Sequence, residues 1–186
     1  MDLFETLTDE HRLITRTVEA LESFIERFEK GDELDAIELN RFVVFLREFV
    51  DLVHHEREEN ILFPAMARLG YAKSGAPIAH VRDEHRREHK LLFEIRQAAV
   101  RVRPLSSARR AHLVGLVREL IVFQREHIKK ENELLYPTVK KEFSGKTLDD
   151  VTRLLWSGDD AQTRLVEDSW LRALAEELIR DHPRER

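Results

Sequence analysis

The 186-residue chain contains 42% hydrophobic and 36% charged residues, a balance that suits one domain of amphipathic helices rather than a disordered chain. Its formal charge of −5 comes from interspersed acidic and basic residues, so no basic stripe is available for phosphates and we expect no nucleic-acid partner. The absence of cysteine excludes disulfides, iron–sulfur clusters and thiolate metal sites. With neither a signal-like N-terminus nor a long uncharged apolar run, we expect a cytoplasmic protein that has no membrane partner.

The first predicted helix covers residues 4–28 and carries an apolar seam whose members recur at alternating spacings of three and four. His11 lies in that seam, and Gly31 supplies the C-terminal stop. The second predicted helix runs from about residue 35 to residue 69 and turns His54 inward, on the same face as its buried apolar residues.

The third helix is predicted over about residues 77–102, because it starts at a proline and stops ahead of another. The fourth is predicted over about residues 107–143. Pro64 and Pro137 fall inside the second and fourth helices. Each removes a backbone donor and is expected to bend its helix.

Long helices joined by short connections predict an all-α fold, an up-down-up-down four-helix bundle over residues 1–145. Residues 146–186 are predicted as a C-terminal helical extension of two helices broken at Ser157-Gly158. The apolar face of this extension must pack on the bundle or on a partner. It consists of Trp156, Leu165, Trp170, Leu174 and Leu178.

Two parts of the chain repeat the same pattern. Residues 54–64 and 127–137 each begin with a histidine, have a glutamate four residues later and end with a proline. The string Asp-Glu-His-Arg occurs at 9–12 and again at 83–86. The chain is therefore interpreted as an internal duplication that has a potential metal ligand at each equivalent point.

Residues four apart on a helix share one face, so a His-x-x-x-Glu or His-x-x-x-His pair presents two side chains to one point. Without partners, such groups would be costly to bury in a bundle, and metal ions remove that cost. Imidazole and carboxylate suit iron, manganese or zinc, and two carboxylates able to bridge imply two ions. The predicted metal ligands are His11, His54, Glu58, His85, His89, His127 and Glu131.

Helical periodicity separates His54 from its neighbour His55. His55 shares a face with Asp51 and Glu59, and is predicted to point to solvent or to act as outer support. The pair His55/Glu59 stays open as an alternative ligand pair, because a bend at Pro64 would rotate the helix. A metal-free interaction module, with its buried histidines hydrogen-bonded to carboxylates, is the competing interpretation. The histidines predicted on the surface without a role are His80, His112 and His182.

At these residues the chain resembles the hemerythrin-like family, the HHE cation-binding domains, over residues 1–145. The most specific string is His-His-x-x-Glu-Glu-x-x-Leu-Phe-Pro at 54–64. The resemblance implies two non-haem iron ions joined by an oxo or hydroxo bridge and by Glu58 and Glu131, with manganese or zinc as alternative metals. It implies an open position on one iron. The implied ligands are His85, His89 and His127 for one iron, and His11 and His54 for the other.

One departure of this sequence from the pattern of oxygen-carrying hemerythrins bears on function. Oxygen-carrying hemerythrins place an aspartate five residues after the fourth-helix histidine, whereas Glu131 stands four residues after His127. The resemblance therefore implies a protein that binds a small oxidant, O2, peroxide or NO, in redox or stress response rather than in reversible oxygen storage. Whether it is an enzyme that consumes peroxide or NO stays open. The alternative is a non-catalytic iron or oxygen sensor or carrier.

Overall fold

A computed structural model describes residues 1–71, 75–100, 106–155 and 161–184, with the backbone alone at residues 100 and 161–167. Every regular element of these residues is helical. The first helix, α1 (Leu3–Lys30), begins at Asp2, whose side chain and that of Glu5 each accept the other's backbone N–H in a capping box. It ends at Gly31, whose φ of 124° stops the helix. The predicted first helix is thereby confirmed.

The second helix, α2, is continuous over residues 36–68 but changes its winding along the way. It comprises α-helix Ala36–Phe45, π-helix Leu46–His55, π-helix Glu58–Leu62 and α-helix Phe63–Arg68. The third helix, α3, is regular over Ile78–Val100. The fourth, α4, comprises α-helix Ser107–Lys130, π-helix Glu131–Leu135 and α-helix Tyr136–Glu142. The tail forms α5 (Gly145–Leu154) and α6 (Ala161–Asp181).

The two copies of the duplicated segment share one backbone irregularity. The residue before each proline donates its N–H to a carbonyl five residues back, Phe63 to Glu58 in α2 and Tyr136 to Glu131 in α4. A proline cannot donate, and its ring crowds the carbonyl four residues back. A widened π turn just before it relieves that crowding. The glutamate that begins each widened turn is one of the predicted metal ligands.

The interior is divided into two apolar clusters with a polar layer between them. The larger cluster draws on α1, α2, α3, α4 and α6, and the smaller one lies around the N-terminus of α1 and includes residues of α5. Along α1, His11 lies between Leu7 of the smaller cluster and Ile14 of the larger one. Glu131 separates Ile128 from Leu135 in the same way along α4. The fold thus places the polar side chains of several helices at one level.

The C-terminal helix α6 packs against α1 and α2. Its buried residues Leu171, Leu174, Ala175 and Leu178 belong to the larger cluster. Of the predicted apolar face, Leu174 and Leu178 pack on the bundle, whereas Trp170 is 57% exposed, and its packing on a partner stays a prediction. The predicted break at Ser157-Gly158, together with Trp156 and the side chain of Leu165, lies outside the described residues. No helix in the described part of the chain has an apolar stretch long enough to cross a bilayer.

Candidate metal centre

The polar layer contains two adjacent groups of potential metal ligands, all of them buried. Within each group, one ligand atom from every member lies within 4.8 Å of those from the others. The first group is His55, Glu58, His85 and His127, and the second is His11, His54 and Glu131. Five imidazoles and two carboxylates from α1, α2, α3 and α4 therefore meet at one level of the fold.

The structure brings together six of the seven predicted ligands, and His89 is the exception. The His89 side chain is 61% exposed and lies with Nε2 3.8 Å from Asp51 Oδ2, so the expectation that it faces the interior is wrong. His55 occupies the space instead: it is 4% exposed and its ring stacks on that of His85 at a centroid distance of 3.6 Å. The predicted solvent-facing orientation of His55 is therefore also wrong. Metal ligation by each residue stays a prediction.

The two corrections have different physical causes. His54 and His55 end a π-helical stretch, whose turn is wider than the 3.6 residues assumed when the two histidines were assigned to different faces. The wider turn lets neighbouring residues both face inward. On the regular helix α3, the buried residues recur at spacings of three and four, so Glu88 rather than His89 takes the inward position after His85, where it is fully buried.

All five clustered imidazoles are held from outside in the same way. In each ring, Nδ1 lies within hydrogen-bond distance of a side-chain oxygen, which can only accept, so Nδ1 carries the hydrogen. With Nδ1 held outward in this way, Nε2 of each ring faces the interior, as in metal-ligating histidines. The pairs are His11 with Asn132 (2.9 Å), His54 with Glu10 (3.0 Å), His55 with Asp51 (3.2 Å), His85 with Glu59 (2.8 Å) and His127 with Glu84 (2.8 Å).

Helical periodicity alone does not identify the residues whose oxygen atoms hold the histidine Nδ1 atoms, although the sequence carries one sign of two of them. Glu10 and Glu84 stand immediately before His11 and His85 in the repeated Asp-Glu-His-Arg strings. Each supports a histidine of a different helix rather than its own neighbour. Their equivalence in the duplication is the signal that could have found them.

Several inward-facing atoms have no hydrogen-bond partner among the described residues. They are the Nε2 atoms of His55, His85 and His127, Oε2 of Glu58 and of Glu88, and both carboxylate oxygens of Glu131. Buried polar atoms left in this state destabilise a fold unless something else binds them. Nitrogen and carboxylate oxygen atoms in this number are the ligand set that suits iron, manganese or zinc. The residues present therefore fit a metal centre.

In the metal-free chain, hydrogen-bonding partners outweigh burial and raise the pKa of two of the clustered histidines, His11 and His85. Burial disfavours an imidazolium at His85, but the carboxylates of Glu58 and Glu59 outweigh burial and raise the pKa of His85 to about 10. Burial would also raise the pKa of Glu58, yet His85 and the other nearby imidazoles hold it well below its usual value. For His54 and His55, burial lowers the pKa well below the ordinary range. A metal ion must displace the proton from His85 in order to bind there.

Tyr136 is a further residue at the site that the sequence pattern did not identify. Its buried hydroxyl donates to Glu58 Oε1 at 2.6 Å, and its ring stacks on that of His11 at 5.4 Å. Burial raises the pKa of Tyr136 well above its usual value, so the hydroxyl stays a donor. The equivalent position in the first copy of the repeat is Phe63, which has no hydroxyl and stacks on His85 instead.

Glu88 adds a buried acid beside the first group. Its Oε1 accepts from the Gln124 amide, and its Oε2 lies 3.6 Å from His55 Nε2. Burial raises the pKa of Glu88 well above its usual value, which favours the protonated form of this carboxyl group.

The model of one protein family, the Hemerythrin HHE cation binding domain, matches residues 2–139. The match spans α1 to α4 and includes every member of the two ligand groups. None of the curated proteins and none of the solved structures compared with the chain matches it. Because the family model covers most of the chain and its metal-binding layer, the chain belongs to the hemerythrin family of HHE cation-binding domains.

Proposed function

We propose that this protein is a non-haem di-iron protein, built on an up-down-up-down bundle, that binds O2, peroxide or NO in the response to oxidative or nitrosative stress. The observation that carries the proposal is the arrangement of five imidazoles with their Nδ1 atoms held by outer oxygens and their Nε2 atoms facing two buried carboxylates. Manganese and zinc, which take the same ligands, are the alternative metals.

The two carboxylates support a pair of ions rather than a single one. Glu131 lies between the groups, with Oε1 3.4 Å from His127 Nε2 and Oε2 3.1 Å from His11 Nε2. Glu58 Oε2 lies 3.3 Å from His85 Nε2 and 4.0 Å from His54 Nε2. Each carboxylate therefore stands between imidazoles of both groups, which is the position of a bridging ligand.

The histidines divide unequally between the two positions. We assign His55, His85 and His127 to one ion, and His11 and His54 to the other. When bound, two iron ions would supply one-electron redox chemistry and, at the position with fewer histidines, room for a small oxidant. The assignment retains the predicted total of five histidines and two glutamates, with His55 in place of His89.

The surrounding residues serve this chemistry by excluding water and holding protons. The two apolar clusters close the polar layer from both sides. Tyr136 holds a proton on the hydroxyl that contacts Glu58, and burial favours the protonated form of Glu88 near His55.

Turnover of a small oxidant tests the proposal. Protein purified from iron-supplemented cells is mixed, in separate experiments, with a large excess of peroxide or of NO together with a chemical reductant, and consumption is followed. We expect consumption that depends on bound iron and is lost in the His127→Ala variant. A protein that contains no metal, or whose oxidant consumption equals that of the His127→Ala variant, would overturn the catalytic proposal.

A second candidate, a non-catalytic sensor or carrier, is favoured by one observation. The C-terminal helix contacts the outer support of His54, because Arg172 lies 3.8 Å from Glu10 Oε1. A change at the metal position thus has a direct route to a surface helix. A sensor would take up oxidant only to the stoichiometry of its metal, whereas an enzyme would consume the excess.

A further inference from the structure

Glu10 and Glu84 are equivalent carboxylates that support the metal layer from outside. Each accepts from Nδ1 of a clustered histidine on the following helix, at 3.0 Å and 2.8 Å respectively. Each also accepts from a cation three residues after that histidine. The two sets are Glu10 with His54 and Arg57, and Glu84 with His127 and Lys130.

The two sets differ in their exposure to water. The Glu10 side chain is completely buried, whereas that of Glu84 is 25% exposed. Arg57 is 15% exposed and Lys130 is 50% exposed. An ion pair kept from water responds strongly to its neighbours, whereas an exposed pair is screened. The two copies of the repeat therefore differ in how well the glutamate and its cation are shielded from water. A part of the chain outside the repeat must cause this difference in exposure.

Helix α6 supplies the extra cover through two charged residues on one of its faces. Asp168 Oδ2 lies 3.6 Å from Arg57 Nη2, and Arg172 Nη2 lies 3.8 Å from Glu10 Oε1. Arg172 Nε also donates to Asp168 Oδ1 at 2.6 Å, and its guanidinium lies 5.1 Å from the centre of the Phe49 ring. Four charges of alternating sign thus connect α6 to the carboxylate that holds His54.

The position of these two residues is fixed by the core. Leu171, Leu174, Ala175 and Leu178 of α6 are buried in the larger cluster, so the register of the helix on α1 and α2 is set by packing. Asp168 and Arg172 are four residues apart and therefore lie on one face. The helix also lies beyond residues 2–139, the part that matches the family model.

We propose that α6 is a clamp on the metal position of His11 and His54, in which Asp168 and Arg172 act as positioning residues through Glu10. The inference rests on the proposed function, because it requires a metal at that position. A carboxylate that holds the outer nitrogen of a ligand histidine orients the ring and strengthens it as a ligand, and losing such support typically weakens metal binding about 10- to 100-fold. Linkage makes the effect reciprocal, so metal at this position stabilises docked α6.

The test uses the full-length chain loaded with iron(II) under anaerobic conditions, and measures the affinity of each metal equivalent by chelator competition. Asp168→Asn and Arg172→Gln should weaken the affinity of one equivalent, by less than the roughly 10- to 100-fold that loss of the direct support Glu10 would cause, and leave the other unchanged. Asp168→Glu, which keeps the charge, should restore most of the affinity. Glu176→Gln is the matched control, because Glu176 lies on α6 like Asp168 and Arg172 but forms an exposed ion pair with Arg16 of α1.

A double-variant comparison assigns the effect to one position. His54→Ala should remove the metal equivalent whose affinity Asp168→Asn lowers. Adding Asp168→Asn in that background should not change the affinity of the equivalent that remains. Hydrogen exchange tests the reciprocal effect: metal should slow amide exchange in α6 of the wild-type protein but not in the His54→Ala variant.

The outcomes separate the clamp from the function on which it rests. If the wild-type protein binds no metal, the proposed function fails and the clamp falls with it. If it binds two equivalents and Asp168→Asn leaves both affinities unchanged, the clamp is refuted and the di-metal function stands. Equal weakening of both equivalents, or an equal effect of Glu176→Gln, would also refute the clamp, because α6 would then act only on overall stability.

Discussion

The Nε2 atoms of His11 and His54 lie 2.9 Å apart at the centre of the polar layer. The Nδ1 atoms of both rings are occupied by oxygen acceptors, Asn132 for His11 and Glu10 for His54. With Nδ1 protonated in both rings, this close approach requires a shared cation. In the metal-free chain a proton on His11 can serve, because burial, which disfavours the charged ring, is outweighed by the neighbouring acceptors, chiefly Glu131, which raise the pKa of His11. A metal ion that binds both nitrogens would replace that proton.

Substitution of His55 tests the corrected assignment of the helix faces. His55→Ala should lose one metal equivalent per chain, because it removes one of three histidines from the first group. His89→Ala is the matched control and should retain both equivalents, since its side chain is exposed. Metal analysis of the two purified variants distinguishes a ligand set that contains His55 from one that contains His89. Loss from His89→Ala with retention by His55→Ala would restore the ligand set predicted from periodicity.

Glu131 should serve both metal positions. Glu131→Gln keeps the shape of the side chain but removes the charge of a carboxylate that lies between His11 and His127, so we expect both equivalents to be lost or strongly weakened. Glu133→Gln, at an exposed position of the same helix, should bind metal like the wild type. A Glu131→Gln variant with one intact equivalent would show that this carboxylate holds a single ion.

The buried hydroxyl of Tyr136 should contribute more to stability than an exposed one. Tyr136→Phe leaves Glu58 Oε1 without its donor, which we expect to lower the free energy of unfolding of the metal-free protein by about 1–3 kcal/mol. Tyr71→Phe removes an exposed hydrogen bond to Glu142 and should cost less than about 1 kcal/mol. Urea unfolding of both variants measures the difference. Equal effects would mean that the Tyr136 hydroxyl has no special role in the metal-free state.

The stability of the metal-free protein should depend on pH through Glu84. The hydrogen bond from His127, and less strongly that from Lys130, lower the pKa of Glu84 from 4.5 to about 2 against the opposing effect of burial. A depressed carboxylate pKa stabilises the folded state above the unfolded pKa, and this contribution is lost as pH falls toward the folded value. The stability difference between wild type and Glu84→Gln should therefore be constant above about pH 5 and shrink below about pH 4.5. A difference that stays constant or grows on acidification would contradict this.

Much of the fold follows from residue patterns along the helices. Alternating spacings of three and four located α1, and the position of Gly31 marked its end. The same reasoning brought His11, His54, Glu58 and His127 to the interior, where the structure places them. These residues lie in or beside stretches whose inward face is set by many apolar neighbours, so periodicity is reliable there.

One error arises where the backbone departs from regular winding: the π-helical stretch Leu46–His55 turns His55 inward, which a period of 3.6 residues cannot anticipate. The error at His89 lies on a regular helix, where the buried residues Val81, His85, Glu88 and Leu92 recur at spacings of three and four. Periodicity itself therefore places Glu88 inward and His89 outward. The outer carboxylates were missed for a different reason: Glu10 and Glu84 act across helices, and such contacts depend on how the helices pack. In the sequence, only the repeated Asp-Glu-His-Arg string indicated these two carboxylates.

The most direct test of the central claim is the iron content and magnetic behaviour of protein purified from iron-supplemented cells. We expect two irons per chain that, when oxidised, are antiferromagnetically coupled through their bridges, so that the electron paramagnetic resonance signal of isolated high-spin ferric iron is nearly absent. A single iron per chain with the full mononuclear signal, or a chain that contains no metal after reconstitution with iron, manganese and zinc, would contradict a dinuclear centre held by Glu58 and Glu131.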